Sequence, residues 1–276
     1  MLEPIAMFRP SVVALAASTL ALVGCQRQGE TPAPAPAPAE TPAPVVAVAP
    51  APVLDRAALL QAMDVAASAH AAGTEPGGAT LAGRRLVIRQ AFGCSETATP
   101  APDGIAGWTR GARRQTLKLS LSPADWSQSL LQDASADGWE AAEGFWLPRP
   151  WLRQEGCPAQ TGAAPDPASA DAVIASPQTV GLAAVFDEGG SRLGRRNGRA
   201  YEFIARMTGD QQTMAAPAGG YRLVLEGRMT AFADGRAIRC RADSVDQRPV
   251  CIGAVQLDRV AFEDADGQML SEWRPN

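Results

Sequence analysis

Tyr221-Arg222-Leu223-Val224-Leu225-Glu226-Gly227-Arg228-Met229 alternates, with Tyr221, Leu223, Leu225 and Met229 recurring at every second position around Gly227. Successive side chains of a strand point to opposite faces, so this period of two marks a strand that continues toward Phe232 with one face on a core. On both sides the signature returns. Val180 to Phe186, Ala200 to Met207, Arg236 to Cys240, Val250 to Phe262 and Gln268 to Trp273 read as strands, and Tyr201, Phe203, Ala205 and Met207 alternate in the same way. Ala233-Asp234-Gly235 and Asp264-Ala265-Asp266-Gly267 have the chemistry of hairpin turns. Short connections of this kind predict an antiparallel meander closed as a sandwich or barrel.

Toward the N-terminus the reading becomes mixed. Arg84 to Phe92 and Arg114 to Leu121 are strand-like, the latter with Leu117, Leu119 and Leu121 inward and Thr116, Lys118 and Ser120 outward. Asp55 can cap an amphipathic helix over Arg56 to Ala72, with Leu59, Leu60, Met63, Ala66, Ala67 and His70 near one face and Gly73 as its stop. Ser122-Pro123-Ala124-Asp125 combines a cap, a proline at the first helical position and an early acid, which predicts a short helix over Trp126 to Gln132. The expected class is mainly β, becoming α+β on the N-terminal side, in one domain over residues 54–276. Gln160 to Ser176, rich in Ala, Pro and Asp, reads as disordered and places a seam at 158–178.

Before this domain, residues 26–53 are built on Ala and Pro and carry Glu-Thr-Pro-Ala-Pro twice, at 30–34 and 40–44. Alternating prolines forbid helix and sheet and favour extended polyproline backbone, so the segment can reach roughly 85 Å. It is either a spacer or a tolerated low-complexity tail. An apolar run from Ser11 to Val23 precedes it, too short for the ~20 residues of a membrane-spanning helix. Arg9 gives that run a basic flank, as in an export leader. Glu3 is out of place there, which points to Met7 as the start.

The run closes on Leu22-Val23-Gly24-Cys25, and in this it resembles a bacterial lipoprotein signal. The resemblance covers residues 7–25 and implies nothing about the fold. It implies cleavage before Cys25, with residues 1–24 as the leader, and acylation of Cys25 on sulfur and on the new amino group, palmitate-type chains making the anchor permanent. Gln26, where Asp would retain the protein at the inner membrane, implies an outer-membrane lipoprotein with its domain in the periplasm. Of five cysteines, four then remain in an oxidising compartment. Their spacing, with Cys240 and Cys251 ending consecutive strands, predicts Cys94–Cys157 and Cys240–Cys251. The shorter loop is expected to stabilise by roughly 3 kcal/mol and the longer by roughly 4. No Cys-x-x-Cys pair supports zinc, and no metal or other cofactor is expected.

Charge and motif content narrow the function classes. There are 25 basic and 29 acidic residues, net charge −4; losing the leader removes Arg9 and Glu3 and leaves 24 against 28. Such a mixed, weakly acidic chain has no footprint for nucleic acid. His70 is the single histidine, so neither a relay nor a histidine metal site can be assembled. Gly189 to Gly194 lacks the Gly-x-Ser-x-Gly spacing of a nucleophile elbow. Around Asp264, Phe262 and Trp273 occupy positions where a calcium loop needs carboxylates. No catalytic residue is assigned. The acid pairs Glu140/Glu143 and Asp187/Glu188 are the starting points for a carboxylate-dependent hydrolase.

Two features suit binding. Phe145-Trp146-Leu147-Pro148-Arg149-Pro150-Trp151-Leu152-Arg153 interleaves indoles with guanidiniums ahead of Cys157. Trp146 and Trp151 either stack on sugar rings or peptides, or pack beneath a disulfide-tied loop. Arg192, Arg195, Arg196 and Arg199 among glycines form a basic tip for lipid phosphate or anionic polymer, or simply a solvated turn, with Arg195 and Arg196 at its centre. The expectation is a lipid-anchored envelope protein whose β domain binds or assembles without catalysis, its partners the membrane through Cys25 and a cell-wall glycan, lipid phosphate or envelope protein. The alternatives are a hydrolase of cell-wall glycan and a purely structural outer-membrane component.

Overall fold

The computed structural model describes residues 51–74, 81–94, 100–111, 116–129, 131–158, 178–190, 194–206 and 219–275. The leader, Cys25, most of the linker, the seam over 159–177, Arg192 and Met207 lie outside the described residues.

Helix α1 (Arg56–Ala71) opens the domain. The Asp55 carboxylate accepts from the Ala58 N–H at 2.8 Å, and Gly73, at φ 64°, takes the left-handed conformation that ends the helix. Leu59, Leu60 and Met63 are buried, each contributing roughly 1.5–3 kcal/mol. His70, expected near that face, is exposed. Arg56, outside the apolar pattern, is only 2% exposed. Its guanidinium donates to the Gln90 side chain and to the main-chain carbonyls of Pro148, Arg149 and Leu152. Burial, reinforced by the nearby Arg149, pushes its pKa down to about 10, so it still carries its charge at neutral pH. The start of the helix is thereby fastened to the Trp151 loop.

The strands are β1 (Arg85–Phe92), β2 (Gly107–Arg110), β3 (Thr116–Leu121), β4 (Ala124–Asp125), β5 (Gln128–Ser129), β6 (Gln132–Asp133), β7 (Trp139–Trp146), β8 (Val180–Asp187), β9 (Tyr201–Arg206), β10 (Tyr221–Met229), β11 (Ile238–Arg241), β12 (Val250–Asp264) and β13 (Met269–Trp273). The main sheet runs β1-β10-β12-β8-β7-β4, with β11 and β13 also on β12; a second sheet runs β2-β3-β9. Leu117, Leu119 and Leu121 of the second sheet share one apolar core with Phe145, Leu182, Phe262 and α1. The mainly β, sandwich-like class is as the sequence indicates.

The connectivity differs from a meander. β12 pairs antiparallel with β10 over Val255–Asp264 and with β11 over Val250–Gly253, but parallel with β8 over Cys251–Val255. Between β8 and β10 the chain leaves the main sheet, because β9 pairs with β3. Consecutive strands are therefore not all neighbours. β10 and β11 share one edge of β12 and run in the same direction, so the Ala233-Asp234-Gly235 turn is an excursion within one strand line and not a hairpin tip. Asp137 holds the excursion, accepting both guanidinium nitrogens of Arg239 at 2.9 Å and the Ala233 N–H at 3.0 Å. The Asp264 turn does form the β12–β13 hairpin, its carboxylate accepting from the N–H groups of Asp266 and Gln268.

The helix expected over Trp126 to Gln132 is absent. Ala124 and Asp125 instead pair with Gly144 and Glu143, and β5 and β6 form a two-residue hairpin. Local side-chain bonds compete with helix: Asp125 accepts from the Ser127 N–H, and the Ser129 hydroxyl accepts from those of Leu131 and Gln132. Trp126, Ala134 and Trp139 then cover the second face of the main sheet. Both disulfides form as expected, Cys94–Cys157 and Cys240–Cys251, the latter between directly opposed residues of β11 and β12.

Candidate functional site

Two glycines on neighbouring strands build the aromatic site. A Cβ on Gly144 would lie 2.1 Å from Trp126 Cε2, and one on Gly181 would lie 2.5 Å from Trp126 Cη2. Only bare backbone lets the Trp126 indole lie on the β7–β8 surface. Trp146, at the end of β7, meets that ring edge-on, with centroids 4.6 Å apart at 67°. With Leu131 and Val250 the two indoles wall a slot of about 280 Å³, rimmed by Arg241, Asp243, Gln247 and Arg248. These rim residues belong to the β11–β12 connection that Cys240–Cys251 closes.

Trp151 lies beyond that rim and is 55% exposed. It lines an open groove of about 530 Å³ along α1, with Asp64, Ser68, Arg153 and Arg248. Arg248 borders both spaces, and its guanidinium donates to Asp64 Oδ1 at 2.7 Å while Arg153 takes Oδ2 at 2.7 Å. Trp146 and Trp151 thus line separate, adjoining spaces. Trp146 is half-buried against Trp126; Trp151 is open. Flat indole faces beside fixed guanidiniums can stack on the C–H face of a sugar ring and donate to its hydroxyls.

Arg195 and Arg196 of the β8–β9 connection are not a free tip. Arg195 pairs with Glu140 at 2.9 Å. Arg196 folds over the Tyr201 ring, 4.9 Å from its centroid, and donates to the Ala200 carbonyl at 2.8 Å. The backbone N–H groups of Arg196 and Asn197 both donate to Glu143 Oε1, at 2.7 and 2.8 Å. Asn197 stands at φ 50° and Gly198 at φ 76°, a left-handed pair that turns successive N–H groups onto one oxygen. The connection joins two sheets instead of capping a hairpin, and Arg195 and Arg196 fold back onto the domain.

Sequence reasoning missed Trp126, Arg241 and Arg248. The signal for Trp126 was present in Gly144 and Gly181, since glycine inside a strand marks a close approach. Arg241 and Arg248 carry no pattern of their own and are placed by the disulfide. Among the described residues no three His, Cys, Asp or Glu side chains gather as a metal site. The chain matches no protein-family model, no curated protein and no solved structure.

Proposed function

We propose that this chain is a lipid-anchored cell-envelope protein, held at the outer membrane through Cys25, whose periplasmic β domain binds cell-wall glycan without catalysis. The observation that carries the reading is that Arg248, in the loop that Cys240–Cys251 closes, borders both the Trp146 slot and the Trp151 groove. A repeating polysaccharide can lay successive rings across two aromatic platforms, and the separated positions favour a chain over a compact ligand. Two structural disulfides fit an oxidising compartment.

The test uses the full chain. Isolated peptidoglycan sacculi should sediment with wild-type protein, and Trp151→Ala should weaken that binding about tenfold, the loss of roughly 1.4 kcal/mol of stacking. Cys25→Ala should give a soluble periplasmic or an unprocessed protein. Unchanged membrane association would refute the anchor, and equal sedimentation of Trp151→Ala would refute the binding face. One observation favours the hydrolase reading, a buried carboxyl, Glu143, raised above its usual pKa by burial. Release of new reducing ends from the sacculi would support it against simple binding. In-cell crosslinks to proteins alone would support the structural role.

A further inference from the structure

A second space is lined in part by Gly190, Gly194 and Arg196 of the β8–β9 connection. About 510 Å³ in volume, it falls within the range of small-ligand sites. Phe186, Tyr201, Leu257, Val260 and Trp273 give it apolar walls. Its charged lining is balanced, with Glu143, Asp187 and Glu272 against Arg196, Arg259 and Arg274. These arginines are already engaged: Arg259 with Glu226 and Glu272, Arg274 with Glu272, and Arg196 with main-chain carbonyls and the Tyr201 ring. No net charge is left to select a charged ligand.

Two polar atoms in this wall lack partners. Glu143 is 5% exposed, and while its Oε1 accepts two N–H groups, its Oε2 accepts none. Arg259, its side chain 11% exposed, has an unpartnered Nε. A buried acceptor or donor without a partner costs about 1–3 kcal/mol, and folded proteins keep few of them. Here one acceptor and one donor, both shielded from solvent, belong to side chains that line the same cavity, next to aromatic surface. A hydroxyl both donates and accepts, and a hydroxylated ring also offers C–H surface to Trp273 and Tyr201.

We propose that this cavity is a binding site for a small, neutral, hydroxyl-bearing ring compound of the sugar class, held by Glu143 Oε2 and Arg259 Nε and packed against Trp273. The site is independent of the Trp146–Arg248–Trp151 face. Trp273 provides an internal reporter, since a ring against its indole changes its fluorescence.

The experiment titrates the full-length protein in detergent with N-acetylglucosamine, glucosamine and glucose 6-phosphate at pH 7.5, by calorimetry and tryptophan fluorescence. The neutral sugar should bind at least tenfold more tightly than its cationic and anionic counterparts. Glu143→Leu should abolish binding, and Glu143→Gln, whose single oxygen stays on the Arg196 and Asn197 N–H groups and which therefore puts an amide donor where Oε2 accepts, should weaken it at least tenfold. Leu257→Trp removes no polar group and fills the cavity, so it should also abolish binding in protein whose circular dichroism is unchanged. Trp151→Ala should leave this binding intact while weakening sedimentation with sacculi, which separates the two sites. Absence of neutral-sugar binding, equal or tighter binding of either charged sugar, or wild-type affinity in Leu257→Trp would overturn the proposal.

Discussion

Glu143 illustrates how a single residue resists a reading from sequence. It sits in Trp139-Glu140-Ala141-Ala142-Glu143 with no pattern separating it from the neighbouring acid, yet Glu140 is half-buried and paired to Arg195 while Glu143 is enclosed. Burial raises the Glu143 pKa from its ordinary 4.5 against the opposing pull of the Arg196 and Asn197 N–H groups and of Arg195 and Arg196. The folded protein therefore holds this proton more tightly than the unfolded chain does. Stability contributed here falls as pH rises from the unfolded value through the raised folded one, and above both the full cost of the buried charge applies. Glu143→Gln removes that cost, so it should raise the melting temperature at pH 8, with the gain shrinking as the pH approaches 4.5. A constant difference between pH 4.5 and pH 8 would show that burial of the charge is not the cause. Arg56 is hidden for the same reason: charged residues near helix starts ordinarily face water, and only the carbonyls of residues 148, 149 and 152 explain its burial. Asp55, whose cap needs only its own helix, was legible at once.

At the scale of elements, local signals succeeded and long-range seating did not. The strands Arg85–Phe92, Thr116–Leu121 and Tyr201–Arg206 follow from alternation because one of their faces meets the common core. The segment after Leu121 carried good helix-start chemistry, but its indole is captured by the glycines of β7 and β8, whose distance in sequence conceals the match. That capture can be measured. Gly144→Ala drives a methyl into the Trp126 ring and should cost about 3 kcal/mol in denaturant unfolding. In a Trp126→Leu background the same change should cost less than about 1 kcal/mol, because the clash has lost its second member. Equal costs in both backgrounds would place the strain elsewhere. The candidate face inherits its geometry from this seating, since Trp146 is positioned by contact with Trp126 and by the absence of a side chain on Gly181.

Across the whole molecule, class and covalent framework were readable and wiring was not. Alternation reports which residues face a core, and cysteine spacing reports which loops can close, but neither carries the identity of a strand's neighbours. β12 shows the gap most clearly: fifteen residues long, it takes partners on both edges, from strands that begin at residues 180, 221, 238 and 269. A chain lacking residues 250–276 should be digested by protease along its entire domain and show no cooperative melting; a trimmed, protease-resistant core would contradict this. Because this central strand follows all its main-sheet neighbours except β13 along the chain, the main sheet has no middle until residues 250–264 have been made. The nascent chain is therefore expected to remain open and threadable until that strand emerges, with the Cys240–Cys251 bridge forming only once it has.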